Sequence, residues 1–318
     1  MADLPPQLQA AVRQAIEAIP FSRLQEQVDA MLPAYRGVDA QPPVIDTEEK
    51  AVAYLTYRYP GTFAAISSVL DQLAGTLPTL APATLVDIGG GSGAAAWAAV
   101  AAFPSLERVM ILDRSQAALG VGAELASAGP KAMAEAEWRR HRVGAPLPEG
   151  DLAIAAYLLS ELTAAERTDL VDRMAAASTV AVVEPGTPDG YRRVIEARDR
   201  LIGAGMAIAA PCPHGLVCPL LADDWCHFSV RFARSPELRR LKRAEHGHED
   251  EKFSYVVATR LPVRRPDARV IRHPQYRGKM VMLELCRADG TAGETVVPKS
   301  RGEEYRRARK VRWGDSWR

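Results

Sequence analysis

One glycine run narrows the choice of folds more than any other stretch. Thr84-Leu85-Val86-Asp87-Ile88 is short and apolar, and it enters Gly89-Gly90-Gly91-Ser92-Gly93 and then the alanine-rich segment Ala94 to Phe103. A strand, a turn suited to glycine and a helix directly after it open a Rossmann-like unit, in which loop N–H groups and the helix N-terminus face a ligand. A second apolar run, Arg108 to Leu112, ends in Asp113, about twenty residues beyond the glycines, where an acid meets ribose hydroxyls. Trp138 to Val143, Leu152 to Leu159 and Thr179 to Val183 follow, with helical segments between them. Five such alternations predict a doubly wound α/β sheet.

The loop admits two ligands. Gly89-x-Gly91-x-x-Ala94 satisfies the dinucleotide fingerprint, whereas Asp87-x-Gly89-x-Gly91-x-Gly93 resembles motif I of class I methyltransferases. Asp87 separates them: a carboxylate before the loop repels a pyrophosphate but attracts the ammonium and sulfonium of S-adenosylmethionine. Asp87, Gly89, Gly91, Gly93 and Asp113 are therefore the expected contacts to S-adenosylmethionine. A class I methyltransferase sheet needs two further strands forming an antiparallel edge, and Phe253 to Ala258 and Met280 to Cys286 fit those roles.

Residues 5–35 carry apolar positions at helical spacing, broken at Pro20, and a polar linker follows at 37–46. Thr47 to Ala74 reads as two more helices divided at Pro60, with Tyr54, Arg58 and Tyr59 before the break; these three pack the helices or cover the ligand of the next loop. No run reaches the roughly eighteen apolar residues of a membrane span. The N-terminus lacks a basic and apolar leader, so the cytoplasm is the expected compartment.

Three of the four cysteines crowd into one stretch, Pro211-Cys212-Pro213-His214 through Cys218-Pro219 to Asp224-Trp225-Cys226-His227; Cys286 lies on the late apolar run. In a reducing compartment such clustering points to metal or redox chemistry more than to disulfides, against the plainer reading of buried thiols as small hydrophobes. The spacing lacks the short knuckles of structural zinc sites. Two cysteines precede proline, as in ferredoxin-type runs, and four thiolates suffice for an iron–sulfur cluster. Zinc, with His214 or His227 replacing a cysteine, stays open. The stretch reads as an insertion between the last crossover helix and the sixth strand.

Net charge is +1, yet residues 260–318 hold 16 Lys+Arg against 7 Asp+Glu. A basic C-terminal quarter suits a polyanionic partner or a solvated charged face. Arg306, Arg307, Arg309, Lys310 and Arg312 lie close to Trp313, a mixture suited to phosphates and unstacked bases; a helical tail packed on the domain is the competing reading. For chemistry, Tyr157 and Glu161 stand where a base or positioning group would reach the cofactor cleft, unless Ser160 and Glu161 only cap the next helix.

Taken together, Tyr54-x-x-x-Arg58-Tyr59-Pro60, Val86 to Gly93, Leu159-Ser160-Glu161-Leu162, Glu184-Pro185-Gly186-Thr187-Pro188, the cysteine strings, Lys252-Phe253-Ser254-Tyr255 and Trp313-Gly314-Asp315 resemble the small-ribosomal-subunit methyltransferase-like proteins, the "Rsm twenty-two" family of bacteria and mitochondria. The resemblance implies a class I methyltransferase fold that associates with the small ribosomal subunit or its rRNA in assembly or translation. It also implies a [4Fe–4S] cluster on Cys212, Cys218, Cys226 and Cys286. The expected organisation is an N-terminal helical region (1–75), a Rossmann-like core (76–205), a cysteine-rich, cluster-binding insertion (206–250), strands completing the sheet (251–298) and a basic tail (299–318).

Overall fold

The computed structural model describes residues 3–36, 45–220 and 224–318, so the linker read at 37–46 lies outside the described residues up to position 44. Helices α1 (Pro6–Glu17) and α2 (Phe21–Arg36) bury Leu8, Val12, Ile16, Leu24 and Val28, the positions spaced for one helix face. Thr47 caps α3 (Glu48–Tyr57) by accepting the Lys50 N–H at 3.3 Å. The chain then breaks at Arg58 and restarts in α4 (Tyr59–Thr76), where Pro60 needs no N–H partner. Phe63, Ile66, Leu70 and Leu73 of α4 are fully packed, which makes it the central helix of one sheet face.

The core alternates as expected: β1 (Thr84–Ile88), α5 (Ala94–Ala102), β2 (Arg108–Asp113), α6 (Gln116–Ala126), the single turn α7 (Lys131–Ala134), β3 (Glu137–Arg140), β4 (Leu152–Ala156), α8 (Ala164–Met174), β5 (Thr179–Pro185) and α9 (Pro188–Gly203). β3, β2, β1, β4 and β5 lie side by side in that order, all parallel. β1 is central, so Leu85 to Ile88 are buried on both faces. β3 is shorter than the predicted strand and ends at Arg140; β4 ends at Ala156, where Tyr157 turns the chain with φ 57°.

Beyond β5 the order departs from expectation. After α9 comes β6 (Ala207–Ala210), then β7 (Phe228–Ala233), α10 (Pro236–Lys242) and the long β8 (His248–Thr259). β8 runs antiparallel to β5, and β6 closes the edge against β8, giving the order β3-β2-β1-β4-β5-β8-β6. β7 pairs with the first half of β8. This is the seven-position, one-strand-reversed sheet of class I methyltransferases, with Phe253 to Ala258 in the reversed strand. The edge is the four-residue Ala207–Ala210, not Met280–Cys286, so the cysteine stretch sits between the two edge strands rather than before them. An Ala-Ile-Ala-Ala run carries almost no strand propensity and forms here because β8 offers it a free edge.

Met280 to Cys286 instead forms the middle of a second sheet. β9 (Ala268–Val270), β10 (Gln275–Arg277), β11 (Met280–Arg287), β12 (Ala292–Pro298), α11 (Glu303–Ala308) and β13 (Ser316–Trp317) build it, with β11 pairing β10, β12 and β9 and β13 adding to β9. Val281, Leu283 and Leu285 alternate along β11 onto a small core with Val270, Val297, Ala308 and Trp317. The region read as strands plus a basic tail is therefore one module, and the strands after β8 do not complete the main sheet.

Candidate cofactor and cysteine sites

The glycine loop leaves β1 with Gly89, Gly91 and Gly93 at φ 68°, 53° and 82°, values that L side chains avoid. A Cβ on Gly90 would also stand 2.6 Å from the Asp87 carboxyl group. Asp113, at the end of β2, accepts the Gly91 N–H at 2.9 Å and the Ser115 N–H at 2.7 Å, so it orders the loop as well as facing the cavity. That cavity measures about 750 Å³ and lies outside the carboxyl ends of β1, β2 and β4, where open α/β sheets bind ligands.

Its polar atoms are unevenly satisfied. Asp87 is 1% exposed; one oxygen accepts the Ala96 N–H at 3.1 Å and the other has no hydrogen-bond partner. Burial pushes its carboxyl up to about 7, against the opposing pull of that N–H. Tyr59 Oη and His141 Nε2, buried and without partners, line the same cavity. Thr62, which also lines it, adds Oγ1, so four lining residues each hold a buried polar atom without a partner, and such atoms are rare. Tyr54 also lines it, so Tyr54 and Tyr59 do face the loop's ligand space as well as pack their helices. Nothing in the sequence marked His141.

Glu161 reaches the cavity from a 3₁₀ turn, Leu159–Glu161, and pairs with Arg114 at 3.1 Å. Burial raises its carboxyl to about 7, an ionisation range suited to a general base. Neither Ser160 nor Glu161 caps α8: Thr163 does, in a capping box with Glu166. Behind the turn, fully buried Glu184 accepts the Leu159 N–H at 2.9 Å and stands 3.6 Å from Arg193, so it holds the turn that presents Glu161. Tyr157 lines the cavity but donates its hydroxyl to Glu251 at 3.0 Å, and Glu251 also binds Arg58 at 3.3 Å. Burial raises the Tyr157 phenol well above its usual range, so it stays protonated and serves as a donor rather than a base.

The four cysteines, spread from Cys212 to Cys286, converge. All are free thiols and all line one cavity with Tyr191, Arg198, Tyr255 and Arg269. Cys212 follows β6, Cys226 precedes β7, and Cys286 on β11 brings the second sheet to them. The Tyr191 hydroxyl lies 3.1 Å from Cys218 Sγ. His214 accepts the Leu216 N–H on Nδ1 at 3.2 Å, which leaves Nε2–H to face Cys286 Sγ at 3.4 Å. His214 is thus a donor to a thiol rather than a replacement for one. Trp225 donates its indole N–H to the Gly186 carbonyl at 2.9 Å, docking the insertion on the end of β5.

Burial raises the Cys212 thiol, with the Arg198 guanidinium beside it pulling the other way. Burial also raises Cys226 well above the usual thiol range and Cys286 to about 12. Among the described residues no three His, Cys, Asp or Glu side chains stand at single-ion liganding distance. The cavity that the thiols line is about 30 Å³, room for roughly two waters. The donor set itself suits a soft metal centre: four sulfurs and, among the described residues, no carboxylate in the cavity lining.

The basic segment is not a free tail. Trp313 packs edge-on against His227 (4.9 Å) and His273 (4.6 Å), and Trp317 is buried in the small core. Arg306, Arg307, Arg309, Lys310 and Arg312 are all exposed around them. The indole of Trp313 is half-buried between these imidazoles, next to β13, which pairs with β9. No helix among the described residues is long and apolar enough to cross a membrane.

A human protein named ribosome assembly protein METTL17, mitochondrial, is 30% identical over 290 residues, covering 85% of this chain and 62% of its own length. The Rsm22-cox11 tandem protein 2, mitochondrial, of Schizosaccharomyces pombe is 24% identical over 330 residues, covering 85% of this chain and 43% of its own. The chain thus spans less than two thirds of either relative. Among solved structures, an O-methyltransferase family protein from Burkholderia thailandensis aligns with 76% of this chain and 72% of its own at 10% identity and a TM-score of 0.46. The model of the family described as mitochondrial small ribosomal subunit Rsm22 matches residues 48–318, from α3 to the last residue, and the chain belongs to that family.

Proposed function

We propose that this protein assists assembly of the small ribosomal subunit, binding rRNA while carrying S-adenosylmethionine in the glycine-loop cavity and a [4Fe–4S] cluster on Cys212, Cys218, Cys226 and Cys286. The observation that carries the cofactor reading is the 750 Å³ cavity, four of whose lining residues, Asp87, Tyr59, Thr62 and His141, each hold a buried polar atom without a partner. Asp87, next to the loop, suits a cationic ligand, and Gly89, Gly91 and Gly93 allow its close approach. Asp113 stands where ribose hydroxyls bind. The relatives' names supply the ribosomal context.

The cluster reading is supported by four free thiols on one cavity, with Tyr191 and His214 offering hydrogen bonds to two of them. When bound, such a cluster would cross-link the insertion to β11 and fix the second sheet's pose. Zinc on the same cysteines would do the same without iron. Exposed Arg306, Arg307, Arg309, Lys310 and Arg312 suit phosphate contacts. A reducing compartment, cytoplasm or organelle matrix, keeps the thiols free.

A methyl-transfer reading is favoured by Glu161, a carboxylate titrating near 7 inside the cofactor cavity. Incubating the protein with labelled S-adenosylmethionine and small subunits from a deletion strain tests both roles. Transfer that Glu161→Gln abolishes establishes the enzyme; firm subunit binding without transfer leaves the assembly factor; neither binding nor transfer overturns the ribosomal reading.

A further inference from the structure

Two of the largest fully buried side chains are arginines, and both line the cysteine cavity. Arg198, on α9, is 1% exposed; Arg269, on β9, is 2% exposed. Arg269 donates to three neutral acceptors: the Pro211 carbonyl (2.8 Å), Gln72 Oε1 (2.8 Å) and the Gly314 carbonyl (2.9 Å). Arg198 donates to the His214 carbonyl (3.1 Å) and the Leu216 carbonyl (2.7 Å), while its Nε has no partner. Among the described residues the one carboxylate on either guanidinium is Asp199, at 2.8 Å, whose side chain is 61% exposed and solvent-screened. A guanidinium buried without an anion loses its hydration with nothing of opposite charge to replace it.

Among the described residues no carboxylate lines this cavity, so the cysteines are the groups that supply negative charge to it. Neutral thiols leave two buried cations uncompensated, and four bare thiolates overshoot to a charge of −4. Four thiolates around a core of charge +2 sum to −2, which the two guanidiniums cancel. Both an oxidised [4Fe–4S] core and a zinc ion meet that sum.

We propose that Arg198 and Arg269 are the built-in countercharge of a dianionic thiolate-ligated centre, and that Arg198 is its positioning residue, clamping the Cys212–Cys218 loop through two carbonyls beside Cys212. This rests on the metal reading above. It adds that retention, and for a cluster the ease of reduction, is set by a residue that is not a ligand.

The test compares the anaerobically prepared full chain with Arg198→Met and Arg198→Lys. Metal and acid-labile sulfide per chain, metal loss to a chelator, and the midpoint potential of a dithionite titration followed by visible absorption are the readouts. Arg198→Met is expected to lose metal about tenfold faster, the usual scale for outer-shell substitutions, with a lower midpoint potential. Arg198→Lys keeps the charge but not the fork, so it should hold the parent's potential while still losing metal faster. Parent-like loss and potential in Arg198→Met overturn the proposal while the metal reading stands. Should Arg198→Met fail to fold, parent-like retention in Arg198→Lys overturns it. A parent that binds neither iron nor zinc sinks the metal reading and this inference with it. If the metal is zinc, the chelator rate alone decides.

Discussion

At the scale of single residues, Asp87 is the most exposed to test. An acid raised to about 7 in the folded state holds its proton when the unfolded chain has lost it, so its contribution to stability falls as pH climbs from about 4 to 7. A cationic ligand reverses this preference, because it binds the ionised carboxylate. S-adenosylmethionine affinity, measured calorimetrically, should therefore rise severalfold to about tenfold between pH 6 and pH 7.5, as the binding-competent fraction grows. Asp87→Asn should bind weakly and lose that pH dependence; a pH-dependent Asn variant would move the effect to Glu161 or Glu184. Gly190 makes a second residue-scale case. It lies on the first turn of α9, where a Cβ would fall on the Pro185 carbonyl oxygen, backbone that cannot move aside cheaply. Gly190→Ala should cost at least about 2 kcal/mol in urea unfolding, the scale of overpacking a tight contact.

Elements show where local signals suffice. Thr163 with Glu166 closes a capping box on α8, and both partners are visible three residues apart in the sequence. Thr163→Ala should lower the stability of the folded chain by about 1 kcal/mol in chemical denaturation. The C-terminal elements behave differently. Removing residues 299–318 would delete α11 and β13 and uncover Val281, Leu283 and Leu285, so truncation should aggregate the protein rather than simply weaken RNA binding. The informative variant reverses charge at Arg306, Arg309 and Arg312, which are exposed. If all three touch phosphates, the log–log salt slope of rRNA binding should shrink by about 2 to 3, and an unchanged slope would leave those cations as a solvated face. Helix α9 joins the two sites at this scale: Arg193 stands beside Glu184, while Tyr191 and Arg198 face the cysteines.

For the whole molecule, the measurement is metal content with the visible spectrum of anaerobically purified protein. Iron with acid-labile sulfide supports the cluster, and one equivalent of zinc retains the architecture without it. Cys218→Ser should empty the centre, lower solubility and lower the melting temperature, since the loop and β11 lose a common anchor; parent-like metal content and melting would remove the centre from those thiols. By itself the sequence determined the parallel half of the sheet, the glycine loop with Asp87 and Asp113, a helix break read at Pro60 and found at Arg58, and the four cysteines. Those features depend on local backbone needs: glycine where φ is positive, apolar runs where strands are covered on both faces, a cap where a helix starts. The tertiary structure decided the rest. Ala207–Ala210 is a strand because β8 leaves an edge open to it, and Met280–Cys286 belongs to another sheet because β9, β10 and β12 pair with it. Trp313 packs against His227, and Arg198 and Arg269 face the thiols, through contacts between residues far apart in the chain. Pairing partners and buried countercharges are properties of the assembled fold, and no local pattern encodes them.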